Sequence, residues 1–278
     1  MAERILIGRH GAEKLVLTVT TSAILTLILL PILAVLVMSF TAASTLQFPP
    51  PALSTRWYGE VWSMLAGSDA SLSRLGEAMV ASLLIAGAAA LVTALTGVPA
   101  AYALTRFRFA GRLAVEQYLG LPLIFPSVVL GVSLLVIVSL LPFDLGMAQI
   151  VLAHSLIGLP FMVRNCMAAL AGVDPNLEEA ARTLGASWLT AFSDITFPLM
   201  RSGVVSGLLL VFIISYNEFT LSYFLYTVDV FPLPIWLFQQ SNTSFSPAVF
   251  AVSSLIILVN VIVVLLVDRM IGTRHAIF

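Results

Sequence analysis

Residues able to do chemistry are few and scattered in this 278-residue chain. The histidines, His10, His154 and His275, show no metal-ligand spacing, and no His-Glu-x-x-His pattern occurs. The single cysteine, Cys166, excludes an internal disulfide and any multi-cysteine metal site. The only lysine, Lys14, follows Glu13, so the Gly-Lys-Ser/Thr core of a phosphate-binding loop is missing. The chain therefore cannot hydrolyse ATP by itself, and it carries no nucleophile–base set for a membrane-embedded enzyme. What remains is a carboxylate inside an apolar run, Glu218, with Asn217 beside it and Ser215 and Ser222 at positions i−3 and i+4. Charge within a membrane span is costly and faces a cavity or a partner. At helical neighbour spacing these four residues would form a polar stripe. A carboxylate on a translocation route would suit a cationic solute. Equally, Glu218 could be a buried packing partner at an interface with a second membrane chain. Either role is one of passage or assembly, not of bond-making.

The elements that must carry these residues are membrane spans. The chain is 60% hydrophobic and only 10% charged, with mean hydropathy +1.05, against roughly 25% charged residues in a soluble domain. Net charge of −1 says nothing about a nucleic-acid partner, no basic run argues for one, and none is expected. A spanning helix needs about 20 mostly apolar residues. Six segments qualify: Leu15–Phe40, Ala78–Leu104, Gln117–Leu141, Met147–Leu170, Ser202–Leu225 and Ala248–Val267. Their apolar runs are continuous, which favours helices over an alternating barrel pattern. The first is too long for the core of a signal peptide and is read as a retained span. The third and fourth form a hairpin across Pro142–Gly146. The expected class is all-α, a polytopic membrane protein forming a single transmembrane domain over residues 1–278.

Arg4, Arg9, Lys14, Arg106, Arg108, Arg112, Arg182, Arg201, Arg269 and Arg274 fall on one side of this arrangement, against Arg56 and Arg74 on the other. Positive charge marks the cytoplasmic side, so both termini are expected there. Arg164, in the fourth segment, is expected to reach toward cytoplasmic headgroups. His154, in the same segment, is read as bonded to a neighbouring helix. Outside, Thr41–Glu77 holds the stiff Phe48-Pro49-Pro50-Pro51 and then Trp57, Tyr58 and Trp62, which predict a short interfacial helix over Thr55–Leu65. The second outer loop is Tyr226–Pro247.

The cytoplasmic loop between the fourth and fifth segments differs in kind from a plain connector. Asp174 before Pro175 signals a capped helix start. Glu178 and Glu179 follow in the early turns, where the helix dipole favours negative charge. Ala180, Ala181, Arg182 and Leu184 propagate a helix, and Gly185 suits a left-handed stop. Ser187 then caps a second short helix, predicted over Trp188–Ser193, before Pro198 leads into the fifth span. The loop is thus predicted to be a rigid helix–turn–helix exposed to the cytoplasm.

In this loop the chain resembles the permeases of bacterial ABC importers, whose pattern is Glu-Ala-Ala, three residues, Gly, nine residues, Ile-x-Leu-Pro. Here Glu179-Ala180-Ala181 is followed after three residues by Gly185, then after nine by Ile195, and then by Phe197-Pro198, with Phe197 standing where leucine is usual. The resemblance implies a type I importer permease architecture. Phe48–Tyr58, Pro99–Arg112 and Asn217-Glu218-Phe219 look more narrowly like the C-type permease of spermidine/putrescine importers. Permeases for aminoethylphosphonate and opines are similar in the same strings. The resemblance implies a bacterial inner-membrane subunit paired with a second permease, two cytoplasmic ATPase subunits and an outer substrate-binding protein, with ATP and magnesium held by the ATPase. It also implies that the loop docks on the ATPase, Glu179 serving as a cap or polar contact and Gly185 as the turn. An ion-coupled secondary transporter would instead need acidic residues deep in several spans and an inverted repeat. One clear intramembrane carboxylate and no repeat speak against it.

Overall fold

The computed structural model describes residues 2–66, 74–243 and 246–272. Arg274 and His275 lie outside these residues, and the side chains of Arg4, Arg9 and His10 lie outside those described. The helices are α1 (Ala2–Ser39), α2 (Arg56–Leu65), α3 (Leu75–Arg106), α4 (Arg112–Gly120), α5 (Ser127–Ser139), α6 (Met147–Ala171), α7 (Pro175–Thr183), α8 (Trp188–Ala191), α9 (Phe197–Tyr216), α10 (Thr220–Leu225), α11 (Leu233–Thr243) and α12 (Ala248–Gly272). Among the described residues the only β pairing is an isolated bridge between Thr41 and Leu53. The chain is all-α.

Among the described residues, five helices are long and apolar enough to cross a membrane, or six with one bent pair counted as a single span. That pair corrects the third expected span. Gln117–Leu141 is not one straight helix: Arg112–Leu123 and Ser127–Ser139 meet at 98°. Two prolines cause the break. A proline lacks the N–H that helix continuation needs, and it pushes the preceding residue out of the helical region. Pro122 stands in a 3₁₀ turn over Leu121–Leu123, and Pro126, extended at ψ 131°, starts α5 afresh. The 13 residues of α5 rise only about 20 Å, short of a ~30 Å hydrocarbon core.

The fifth expected span, Ser202–Leu225, is corrected at both ends. Toward the C-terminus, α9 stops at Tyr216 and α10 begins at Thr220. Asn217 contributes to this stop by turning its side-chain Nδ2 back to the Ile213 carbonyl (2.7 Å), a local bond that competes with helix continuation. Toward the N-terminus, the span begins much earlier. The helix α8, a π-helical turn over Phe192–Thr196 and α9 run on as one 29-residue span candidate, Trp188–Tyr216. Pro198 is what widens that turn. Its ring would clash with the carbonyl four residues back in a regular helix, and the Phe197 amide instead reaches the Phe192 carbonyl, five residues back. The second helix of the loop after α6 is therefore not separate from the fifth span but its first turn.

The chain divides into two compact units, Met1–Ser68 with Gln240–Leu258 and Asp69–Gln239 with Val259–Phe278. In the first, α2 forms where the aromatic run predicts a helix and buries Trp57 and Val61, leaving Trp62 exposed. Tyr58 fixes it with hydroxyl contacts to Ser39 (2.8 Å) and Ser254 (2.9 Å). Leucines and valines along α1 are exposed over most of its length, a surface suited to lipid.

The second unit is built on α3, α6 and α9. Their shared core includes Ala101, Leu104, Met162, Cys166, Leu170, Met200 and Val211, and a second cluster gathers Ile85, Ala89, Ile150, Ala153, Leu221 and Leu225. Without a hydrophobic driving force in lipid, helices associate by close packing at small residues. Gly158 and Gly203 supply it: a Cβ at Gly203 would fall 2.5 Å from the Asn165 carbonyl oxygen, and one at Gly158 2.7 Å from Val211 Cγ1. These contacts also fix direction. Thr93 lies by Gly158 and Gly97 by Met162, so α3 runs parallel to α6, whereas Val211 lies by Gly158 and Gly203 by Asn165, so α9 runs antiparallel to it.

Candidate functional site

The loop between α6 and α9 is built by local chemistry. Asp174 Oδ1 accepts the Asn176 amide (3.0 Å) at the start of α7. At its end the Ala186 amide reaches the Ala181 carbonyl and the Gly185 amide the Arg182 carbonyl, both at 3.0 Å. This double closure is the Schellman arrangement, which needs a left-handed residue in the chain reversal. Gly185 supplies it at φ +96°. Ser187 Oγ then accepts the Thr190 amide (3.1 Å) and caps α8.

Around this frame, the apolar side chains of the loop point outward. Leu184 is 89% exposed and Leu189 64%, and Leu177 and Trp188 are about half exposed. Glu179, Ala180, Gly185 and Pro198 are exposed as well, while Ala181 and Ile195 are half-buried. Exposed apolar side chains clustered on a polar loop mark an interaction surface.

Inward, the loop presents a carboxylate. Glu178 is 8% exposed and is the one buried residue of α7. Its Oε1 accepts the Tyr102 hydroxyl from α3, and its Oε2 accepts the Thr196 hydroxyl (2.9 Å) from the π-helical turn. The Tyr102 ring packs edge-on against Phe192 (5.0 Å), Trp188 (6.1 Å) and Phe107 (5.8 Å). Arg106 Nη2 donates to the Val173 carbonyl (3.0 Å), tying the end of α3 to the start of the loop. A cavity of about 120 Å³ opens here among Tyr102, Arg106, Glu178, Glu179, Arg182 and Trp188. Sequence reasoning placed Glu178 only in the dipole field of its helix. Helical phase would not have found it: Leu177, Ala181 and Leu184, at i, i+4 and i+7, mark one apolar face, yet it is Glu178, about 100° around the helix from Leu177, that is buried.

The structure does not bring the four candidate pathway residues into one stripe. Ser215 and Ser222 flank His154, not Glu218. His154 is buried on α6, with Nδ1 2.7 Å from Ser215 Oγ and Nε2 3.1 Å from Ser222 Oγ. The expected bond from His154 to a neighbouring helix is thus present, and it clasps both sides of the α9–α10 break. Ser222 Oγ also donates to the Glu218 carbonyl (2.8 Å). Asn217 pairs reciprocally with Asn260 of α12, at 2.9 and 3.1 Å. Glu218 itself is half-buried at the break, its Oε1 accepting the Leu221 amide (3.1 Å) at the start of α10. The stripe fails because its spacing presumed an unbroken helix. Arg164 is exposed, and a Cβ added at Gly120 would lie 3.9 Å from its Nη2. Among the described residues, no group of three or more His, Cys, Asp or Glu side chains is placed to hold a metal ion.

Residues 94–272, which include α6 to α12, match the family described as binding-protein-dependent transport system inner membrane component. The chain belongs to that family. Over 213 residues it is 33% identical to a spermidine/putrescine transport system permease protein, PotC, of Haemophilus influenzae, covering 76% of this chain and 81% of the relative. Over 234 residues it is 34% identical to a putrescine transport system permease protein, PotI, of Escherichia coli, covering 82% and 80%. Among solved structures, a bacterial ABC transporter involved in the import of alginate superposes with a TM-score of 0.67 at 16% identity, covering 95% of each chain. At that identity the likeness shows the fold. The chain is an ABC importer permease, a membrane component of a transport system, and its helix–turn–helix loop falls inside the family match.

Proposed function

We propose that this permease carries a small organic cation of the polyamine class inward, as half of a permease pair driven by two cytoplasmic ATPase subunits and fed by an outer substrate-binding protein. The observation that carries the solute class is similarity to putrescine and spermidine/putrescine permeases along about four-fifths of the chain. A carboxylate at the α9–α10 break, Glu218, is compatible with a cationic solute. Residues 1–278 would act as a single permease domain whose coupling loop, about residues 172–198, sits in the cytoplasm with both termini. The exposed apolar side chains Leu177, Leu184, Trp188 and Leu189 would seat on the ATPase, together with Glu179 and Gly185. ATP and its magnesium would be bound by that partner alone. The test is ATP-driven uptake of labelled putrescine and spermidine by the assembled complex in vesicles, with aminoethylphosphonate and an opine as competitors. Uptake of either amine, undiminished by the competitors, is expected. Uptake of a competitor in place of both amines would overturn the solute class and leave the importer assignment standing.

A further inference from the structure

We propose that Glu178 is the positioning residue that transmits movement of the coupling loop to the membrane spans, a role that rests on the reading of this loop as the ATPase docking element. Three elements meet at its carboxylate. Glu178 stands on α7, Tyr102 on the last turns of α3, and Thr196 at the end of the π-helical turn that leads into α9. Each carboxylate oxygen has its own hydroxyl donor.

The rest of α7 gives the loop little other hold on the spans. Its leucine, Leu177, and the following Leu184 face outward, and Glu178 is its one buried residue. Apolar contacts alone are non-directional and would let the helix slip sideways over the span ends. Hydrogen bonds to an ionised acceptor are stronger than neutral ones and fix geometry, and they gain weight in a low-dielectric site. The two bonds differ in destination. One reaches α3 through Tyr102, whose ring is held by Phe107, Trp188 and Phe192. The other reaches the base of α9 through Thr196, which is fully buried. A displacement of α7 is thereby delivered to two spans at once. Glu178 thus stands behind Glu179, which faces outward and is free to meet the ATPase.

A single removal of the carboxylate orphans two buried hydroxyls and could destabilise the fold for that reason alone. The informative variant is therefore the triple replacement Glu178→Met, Tyr102→Phe and Thr196→Val, which removes the carboxylate and both hydroxyls together; the Trp188 indole also loses its bond to Tyr102 but is half exposed, so water can replace it. It is compared with wild type and with Thr196→Ser, which retains the hydroxyl, in the full complex with its permease partner, ATPase and binding protein in vesicles. Three readouts are taken: ATPase subunits retained on purification, stimulation of ATP hydrolysis by the binding protein, and labelled putrescine moved per ATP. The triple variant is expected to retain the ATPase and hydrolyse ATP. Stimulation and putrescine moved per ATP should both fall about ten-fold, within the range seen for residues that couple distant sites. Thr196→Ser should behave as wild type. Wild-type stimulation in the triple variant would overturn the proposal, as would loss of the ATPase subunits, which would make the network a docking device. A wild-type complex that is stimulated by the binding protein yet inert toward putrescine and spermidine would overturn the solute class alone.

Discussion

At the α9–α10 break, the capping bond of one side chain can be separated from its charge. Glu218 Oε1 accepts the Leu221 amide, a capping bond that a neutral amide oxygen can also accept. Glu218→Gln therefore keeps the cap and removes only the charge. If the carboxylate faces a passing ammonium group, the partly buried charge acts in a dielectric below that of water and its loss matters more than that of a surface charge. Putrescine uptake by the assembled complex should fall about ten-fold, equivalent to about 1.4 kcal/mol of barrier, while hydrolysis of ATP remains. Uptake at the wild-type level would reduce Glu218 to the cap of α10. Failure of Glu218→Gln to assemble with the second permease would instead point to pairing across that interface. The residues most legible in the sequence were those whose partners are close in the chain: the caps at Asp174 and Ser187 and the left-handed Gly185 all follow from neighbours within five residues. Glu178, by contrast, bonds Tyr102 across 76 positions and His154 bonds Ser215 across 61, and such pairings are set by packing that no local pattern records.

Among the helices, the loop and the fifth span form one lever. From Trp188 to Tyr216, 29 residues at ~1.5 Å each give about 44 Å of nearly continuous helix, so a movement at α8 would be carried into the membrane without a joint. The joint lies instead at Gly185, between α7 and α8. A Cβ there would touch nothing within 4 Å, so substitution acts through the backbone alone. At φ +96° a β-branched residue is strained by at least ~1–2 kcal/mol, whereas asparagine is among the residues that tolerate this region. Gly185→Val is expected to leave the chain in the membrane but weaken ATPase retention and abolish uptake. Gly185→Asn should keep most of both. Co-purification and vesicle uptake measure the two effects, and normal uptake by Gly185→Val would remove the turn from the coupling mechanism. Hydropathy located the spans because burial in lipid is a property of twenty residues averaged together. The same averaging hid the interruptions. Pro122, Pro126 and Asn217 each carry a local breaking signal, but all stand within runs apolar enough to mask it.

Within the second unit, the contacts settle how many times the chain crosses between α3 and α6. Arg106 at the end of α3 bonds Val173 just past α6, so these two ends share one side. Near the opposite ends, Arg74 before α3 donates to the Val228 carbonyl (2.5 Å), and Gln149 in the first turn of α6 donates to the Leu225 carbonyl (2.6 Å). Starting on one side at Arg106 and arriving on the other at Met147, the chain must cross once in between. The bent pair α4–α5 is thus a broken span and not a re-entrant loop, although α5 alone is short for the hydrocarbon core. If the arginine-rich side is cytoplasmic, as the sequence predicts, Phe143, which is 60% exposed between α5 and α6, would lie outside. Cysteines introduced singly as Thr55→Cys, Phe143→Cys and Thr243→Cys, in a chain carrying Cys166→Ala, should react with a membrane-impermeant maleimide in intact cells. Thr183→Cys should react only after permeabilisation. The Cys166→Ala background removes the native thiol, which is buried in the helix core. Labelling of Phe143→Cys and Thr183→Cys from the same side would make α4–α5 re-entrant. Labelling of Thr183→Cys from outside, with the other three protected, would invert the whole molecule and place the coupling loop out of reach of a cytoplasmic ATPase.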